Sequence, residues 1–371
     1  MSPLRCELAS PRDESELRRV LAATPMAGKF AVSFRREPDF FAAAAVEGEF
    51  HQTIVVRESA SNRIVALGSR SVRERFVNRA AVPVGYLSSL RILPEYRRGL
   101  VLSRGYGYLR QLHEDQRTQM YLTTVAADNV AALSVLTSGR AGLPRYEFCG
   151  NYHTGVIPIS RPLASSGLPP GIAIRTAKRE DLPQLCDFVN RVGRSRQFFP
   201  RYQEADWFTQ AATFRDLHAD DILLACRGGE IIGSLGCWDQ SAFRQIVVEH
   251  YRPTLAFCAP VYNGLAAICR LPKLPEPGKP LPILTAALPL VTGDDRQVFL
   301  ALLKTALARS QGSGRSHLLV GMHERDPLID VLRRLQAEVY TTRCYLVYWD
   351  DGVKLRQQLV DRALYLELGC L

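Results

Sequence analysis

The stretch LSSLRILPEYRRGLVLSRGYGYLRQL, residues Leu87–Leu112, runs from a strand through a tight turn into a helix. Its first residues are apolar or small, and Pro94 and Gly99 interrupt regular structure. Leu102, Gly105, Tyr106, Leu109 and Leu112 then recur at spacings of three and four, which marks one buried helix face. A helix start has backbone N–H groups without partners and a partial positive charge, so Gly99–Arg104 suits an anion such as a pyrophosphate. Gly99 allows close backbone approach, and Arg97 and Arg98 can add charge-assisted hydrogen bonds.

Upstream, HQTIVVRE and RIVALGSRSVRERF read as adjacent strands and VGYLSSLRIL as a third. Downstream come strand MYLTTVA, a short helix over Asn129–Leu136 and a closing strand region RYEFCGNYHTGVIPI. The same order returns after SRPLASSGLPPG (Ser160–Gly171): strands DILLACRG, EIIGSLGCW and ILTAALPLV, a helix over Arg296–Arg309, strand HLLVGM, a short helix near Leu328–Leu335 and strand VYTTRCYLVYW. The halves also open alike, with LRCELAS before PRDESELRRVL and IAIRTA before KREDLPQLCDFV. Residues 1–160 are therefore expected to form one domain, 161–171 a linker and 172–371 a second domain. An insertion at 243–281 lengthens the second half. It is expected to begin as an apolar helix carrying Phe257, Val261, Leu265 and Ile268 and to end in the extended loop LPKLPEPGKPLP. The terminal ALYLELGCL alternates as a last strand would.

The segment Leu93–Val101 resembles the central motif of the GNAT superfamily, in which a strand ending in an apolar residue precedes Pro, two residues and Arg-x-x-Gly-x-Gly/Ala opening a helix. Leu93, Pro94, Glu95, Tyr96 and Arg97 match; the loop is one residue shorter and has Val101 where the family has a small residue. Asp128, Asn129 and Ala132 are similar to the family's Asn-x-x-Ala helix start, with Leu136 in place of the tyrosine that usually follows. The resemblance implies an α/β (α+β) fold of two tandem GNAT-like acyl-CoA N-acyltransferase domains, each a mixed, mostly antiparallel sheet flanked by helices. It implies acetyl-CoA or another acyl-CoA as co-substrate, held by Leu90, Arg91, Ile92, Arg97, Arg98, Gly99, Leu100, Val101, Leu102, Ser103, Arg104 and Asn129. An amine of a small molecule or peptide would attack the thioester directly, with strand N–H groups of Gly85–Ile92 polarising the carbonyl. Tyr146 stands in for the missing tyrosine as general acid, and Glu47, near Glu49 and His51, is the candidate base.

The second half resembles the same family with its phosphate loop removed. LVTGDDRQVF places Asp294 and Asp295 at the helix start, where carboxylates cap free N–H groups and repel a pyrophosphate. A degenerate second domain is the expectation. The short loop and Leu136 leave open an acyl-CoA-binding regulatory pseudoenzyme, and the net charge of +10 leaves open a tandem GNAT-like aminoacyltransferase using charged tRNA.

Composition narrows the remaining classes. A hydrophobic share of 47% with 23% charged residues is that of a folded chain and excludes compositional disorder. The nine cysteines are scattered without CxxC or Cys/His spacing, so reduced thiols and no metal are expected. No long apolar run or leader-like segment is evident, which points to a cytoplasmic location and no membrane partner. Up to Ala164 the chain has 22 Lys+Arg against 15 Asp+Glu, so the first half carries most of the positive charge and suits an anionic ligand. No basic block with interleaved aromatics marks a nucleic-acid surface. GxSxG, HExxH and GxxxxGK[ST] are absent. His323, Glu324 and Asp326 in GMHERDPL read as a turn capped by Asp326 before Pro327. The tandem can stand in for a dimer, so a monomer or weak dimer is expected.

Overall fold

β-Branched and aromatic runs become strands and the three-and-four apolar spacings become helices. The structure is a computed structural model that describes residues 4–26, 30–97, 99–140, 142–160, 170–207, 213–251, 257–258, 262–264, 274–335 and 337–371. The first half contains β1 (Leu4–Leu8), α1 (Glu14–Ala22), β2 (Phe30–Arg35), α2 (Phe40–Ala44), β3 (Phe50–Glu58), β4 (Ile64–Val77), β5 (Ala80–Ile92), α3 (Val101–His113), β6 (Tyr121–Ala126), α4 (Val130–Leu136) and β7 (Arg145–Pro158). The second contains β8 (Ile172–Thr176), α5 (Leu182–Gly193), β9 (Phe199–Pro200), β10 (Ile222–Arg227), β11 (Glu230–Trp238), β12 (Gln245–Tyr251), β13 (Ile283–Val291), α6 (Arg296–Ser310), β14 (His317–His323), α7 (Ile329–Arg334), β15 (Glu338–Tyr348) and α8 (Val353–Gln358).

The two halves repeat one plan, and their strands join in a single sheet of order β1-β3-β4-β5-β6-β15-β7-β14-β13-β11-β10-β8, with β9 added on β4. Most neighbours are antiparallel; β5 with β6 and β13 with β14 are parallel. The closing strands cross between halves. β15 lies between β6 and β7, while β7 pairs along β14 from Tyr152 to Pro158. Each closing strand is thus covered on both edges, which leaves no unpaired ladder at the middle of the molecule. Apolar helix faces pack on the sheet: Leu17, Val20 and Leu21 of α1 against Val55 and Val65, and Phe299, Leu302 and Leu303 of α6 against Leu235 and Ala286.

Between the halves apolar clusters such as Val46 and Phe76 with Leu185 and Phe199 enclose buried arginines. Arg73 and Arg75 of β4 are each 2% exposed. Arg75 Nη1 donates to the Phe198 carbonyl at 3.1 Å, Arg73 Nη2 donates to Thr213 Oγ1 at 2.5 Å, and the Arg73 guanidinium lies over the Tyr202 ring.

Two sequence expectations are corrected. The insertion begins as a strand, because the β-branched run Ile246–Val248 belongs to β12, which pairs with β2 as a separate two-stranded sheet. Past the strand, the expected helix is present at 257–258 and 262–264, with Phe257 87% exposed; Val261, Leu265 and Ile268, like linker residues 161–169, lie outside the described residues. The terminal ALYLELGCL is not a strand. Leu364, Tyr365, Leu366 and Glu367 are buried consecutively, so they are enclosed on all sides, and the segment ends in a 3-10 turn at Leu368–Cys370.

Where β5 meets β6, a Cβ on Gly85 would lie 2.1 Å from the Tyr121 ring, so only glycine allows this approach. Gly85→Ala is expected to lower stability by about 1–3 kcal/mol in urea unfolding. An unchanged midpoint would mean that the two strands do not meet at this residue.

Candidate functional site

β5 and β6 stay paired only at Gly85 with Tyr121 and Tyr86 with Leu122, and then part. Opposite the gap, the register of β5 against β4 slips between Leu67 and Ser69, and Ser89 takes a left-handed φ of 54°. The bulge frees backbone groups of β5 from the ladder, since an extra residue has no cross-strand partner. The second half repeats the device: β13 and β14 pair only over Ile283–Thr285, the ladder slips between Ser234 and Gly236, and Leu288 has a φ of 51°.

The turn after β5 leads into α3. The α3 N-cap is Leu100, an apolar residue that is 62% exposed and supplies no side-chain cap. The N–H groups of the first turn therefore face the loop, where Gly99 and Arg97 are exposed. Arg97 Nε donates to the Ile92 carbonyl at 3.2 Å, Ser103 Oγ to the Leu100 carbonyl at 3.0 Å, and Arg104 Nη1 to the Leu4 carbonyl at 2.8 Å. Val101 is buried and Leu102 half-buried beneath the turn. Arg98 lies outside the described residues. Arg91 donates to the Leu90 carbonyl at 2.9 Å and to Met26 Sδ at 3.9 Å. Asn129 caps α4, its Oδ1 accepting from the Ala132 N–H at 3.2 Å.

The equivalent helix start in the second half is satisfied by its own side chains. Asp295 caps α6 by accepting from the N–H groups of Gln297 at 2.9 Å and Val298 at 3.2 Å, and Asp294 pairs with Arg196 at 2.5 Å. The C-terminal segment closes the gap below. Glu367 accepts from the Leu288 N–H at 3.1 Å and from the Tyr365 hydroxyl at 2.6 Å, at the bulge that corresponds to Ser89. Asp326 caps the turn before α7 by accepting from the Leu328 N–H at 2.9 Å, and His323 is bonded to the Cys149 carbonyl at 3.0 Å.

At the first-half bulge a charged cluster assembles from distant segments. Glu47, 1% exposed, accepts from Ser88 Oγ and Arg244 Nη2, each at 2.8 Å, and from Arg36; His51 Nε2 stands 3.6 Å away. Burial alone would raise the Glu47 pKa, but Arg36, the neighbouring His51 imidazole and Arg244 outweigh it and hold the carboxyl well below the usual range. Such a carboxylate keeps its charge and takes protons poorly. Burial lowers Arg36 to about 10; its guanidinium also donates to Ser89 Oγ at 2.9 Å. Arg244 further binds the carbonyls of Gly369 at 3.2 Å and Leu371 at 2.8 Å, so the C-terminal segment is tied to this cluster.

Tyr146 sits elsewhere, on β7 beside α3, its hydroxyl 2.5 Å from that of Tyr106. Burial, with Tyr106 beside it, pushes its phenol far above the ordinary value, so the proton stays on. Glu49 is not in the Glu47 cluster; burial raises its carboxyl, partly offset by Arg73. Arg36 and Arg244 carry no local sequence signal, because they lie 11 and 197 residues from Glu47 and meet it only through the fold. Among the described residues no group of His, Cys, Asp and Glu forms a metal site, and no helix is long and apolar enough to cross a membrane.

No protein-family model and no curated protein matches the sequence. Solved structures do match. A GCN5-related N-acetyltransferase from Sphaerobacter thermophilus aligns at a TM-score of 0.58 and 13% identity over 93% of this chain and 96% of its own. The chain has the GNAT fold. A GCN5-related glucosamine N-acetyltransferase region of a fungal β-N-acetylglucosaminidase aligns with this GNAT-fold chain at 0.59 and 12% over 94% of it and 38% of the other. Saccharomyces cerevisiae N-myristoyltransferase, solved with bound myristoyl-CoA, aligns at 0.58 and 13% over 94% and 79%.

Burial raises Glu367 to about 7, above the roughly 4.3 of an unfolded glutamate. Its contribution to stability is complete below the unfolded value and is lost as pH rises through 7. Between about pH 4.5 and 8 the wild type should lose on the order of 3 kcal/mol relative to Glu367→Gln in urea unfolding. Parallel pH profiles for the two proteins would contradict this.

Proposed function

We propose that the protein is an acyl-CoA-dependent N-acyltransferase whose working site lies in the first half. The observation that carries this reading is the contrast between two equivalent helix starts: α3 has no side-chain cap and stands beside Arg97 and Arg104, whereas Asp295 caps α6. Anions favour the first environment and are repelled by the second. The parted strands β5 and β6 supply the slot that a pantetheine arm needs.

In this reading the N–H groups of Gly99–Ser103, with Arg97, Arg98 and Arg104, take the pyrophosphate, while Leu90, Arg91, Ile92 and Asn129 border the arm. Acyl-CoA supplies an activated thioester. The acceptor nitrogen attacks its carbonyl carbon, forming a C–N bond as the C–S bond breaks. N–H groups freed by the Ser89 bulge stabilise the oxyanion. Glu47 acts as a positioning residue that fixes Ser88 and Arg36 around that bulge. The acceptor's proton goes to His51, the imidazole of the cluster. Tyr146, a neutral phenol, donates a hydrogen bond to the departing thiolate while accepting one from Tyr106.

Thiol release measured with an amine panel and acyl-CoA donors tests this. Arg97→Ala should raise KM for the donor about tenfold, the loss of one charge-assisted hydrogen bond, with kcat within about twofold. An unchanged KM would contradict the placement, and salt-sensitive tRNA binding without CoA binding would contradict the activity.

A further inference from the structure

We infer that the transferred acyl group is longer than acetyl and that its chain lies in an apolar cleft beneath α3; this rests on the acyl-CoA reading above. The cleft runs between α3 and the faces of β3, β4 and β5 and holds a cavity of about 60 Å³. Its lining includes Ser88 and Leu90, at the bulge where the thioester would sit, and Leu87, Ile54 and Leu109. Along α3, Val101 to Leu109 spans roughly 12 Å. An acetyl methyl would leave most of that wall against water, and a chain of several methylenes would cover it.

The polar groups that border the cleft are already engaged. Ser69 Oγ is 3.1 Å from Thr53 Oγ1, Ser88 Oγ donates to Glu47 at 2.8 Å, and the Tyr106 hydroxyl is paired with Tyr146. An occupant therefore needs no polar atoms here, which fits a hydrocarbon chain. Two glycines keep the space open. Gly68 is within β4 and Gly105 within α3, and neither has a positive φ. A Cβ on Gly68 would meet only Leu90 Cδ1 at 3.8 Å, and one on Gly105 only Val56 Cγ2 at 3.9 Å. No turn or backbone contact demands glycine at either position, and glycine weakens both strand and helix interiors. What both glycines provide is room on the same cleft.

Calorimetric titration with CoA, acetyl-CoA, hexanoyl-CoA and decanoyl-CoA tests the inference. Affinity should rise along the series by up to about fourfold per added methylene until the cleft is full. Gly68→Leu and Gly105→Leu, on separate elements and each checked for a cooperative melt, should bring the decanoyl-to-acetyl affinity ratio down to about one. Equal affinities along the series with measurable CoA binding, or a series preserved in both folded variants, would overturn this inference alone. Failure to bind CoA or any thioester would overturn the acyl-CoA reading with it.

Discussion

A parallel pair of strands that remains hydrogen-bonded for only two residues governs the rest of the molecule. Tyr121 is wedged over Gly85, β5 bulges at Ser89, and beyond that point β5 and β6 part. Parted strands leave backbone donors and acceptors that must find other partners. In the first half one is met by Thr123 Oγ1, which donates to the Leu87 carbonyl at 2.8 Å, and the Glu47, Arg36 and Ser88 cluster braces the bulge. In the second half the same opening is filled by Glu367.

The two halves share a backbone plan and differ in the charge placed on it. Asp295 caps the start of α6 where α3 has no side-chain cap, and Glu367 accepts from the backbone Leu288 N–H at the β13 bulge where Glu47 accepts instead from the Ser88 side chain. This division follows from chemistry more than from shape, since the strand order, bulge and parting are repeated. The shared sheet makes the division durable: β15 lies between β6 and β7, and Arg244 ties the C-terminal carbonyls to Glu47. In the proposed reading the second half serves as a wall and brace for the first.

Much of this was legible in the sequence because it is local. The spacing of Leu102, Tyr106 and Leu109 marked α3, and Asp294 with Asp295 marked the capped helix start of the second half; Gly99 and Arg97 are the local signal on which the proposed anion site at α3 rests. The crossing of β7 and β15 was not legible, because pairing partners are chosen by tertiary contact between segments far apart in the chain. The same holds for Arg36 and Arg244, which meet Glu47 only after folding. Ile246–Val248 carried a strand signal, and the apolar run that follows carried the helix signal seen at 257–258 and 262–264. ALYLELGCL alternates as an exposed-edge strand does, yet it is buried on every side.

The central claim is that one half is open to an acyl-CoA and the other is closed by its own carboxylates. A co-crystal structure with CoA tests it most directly, read for the number and position of bound molecules. The account predicts one CoA per chain, its pyrophosphate at the N-terminus of α3 and its arm between β5 and β6. A second CoA at α6, or a single one there, would contradict it.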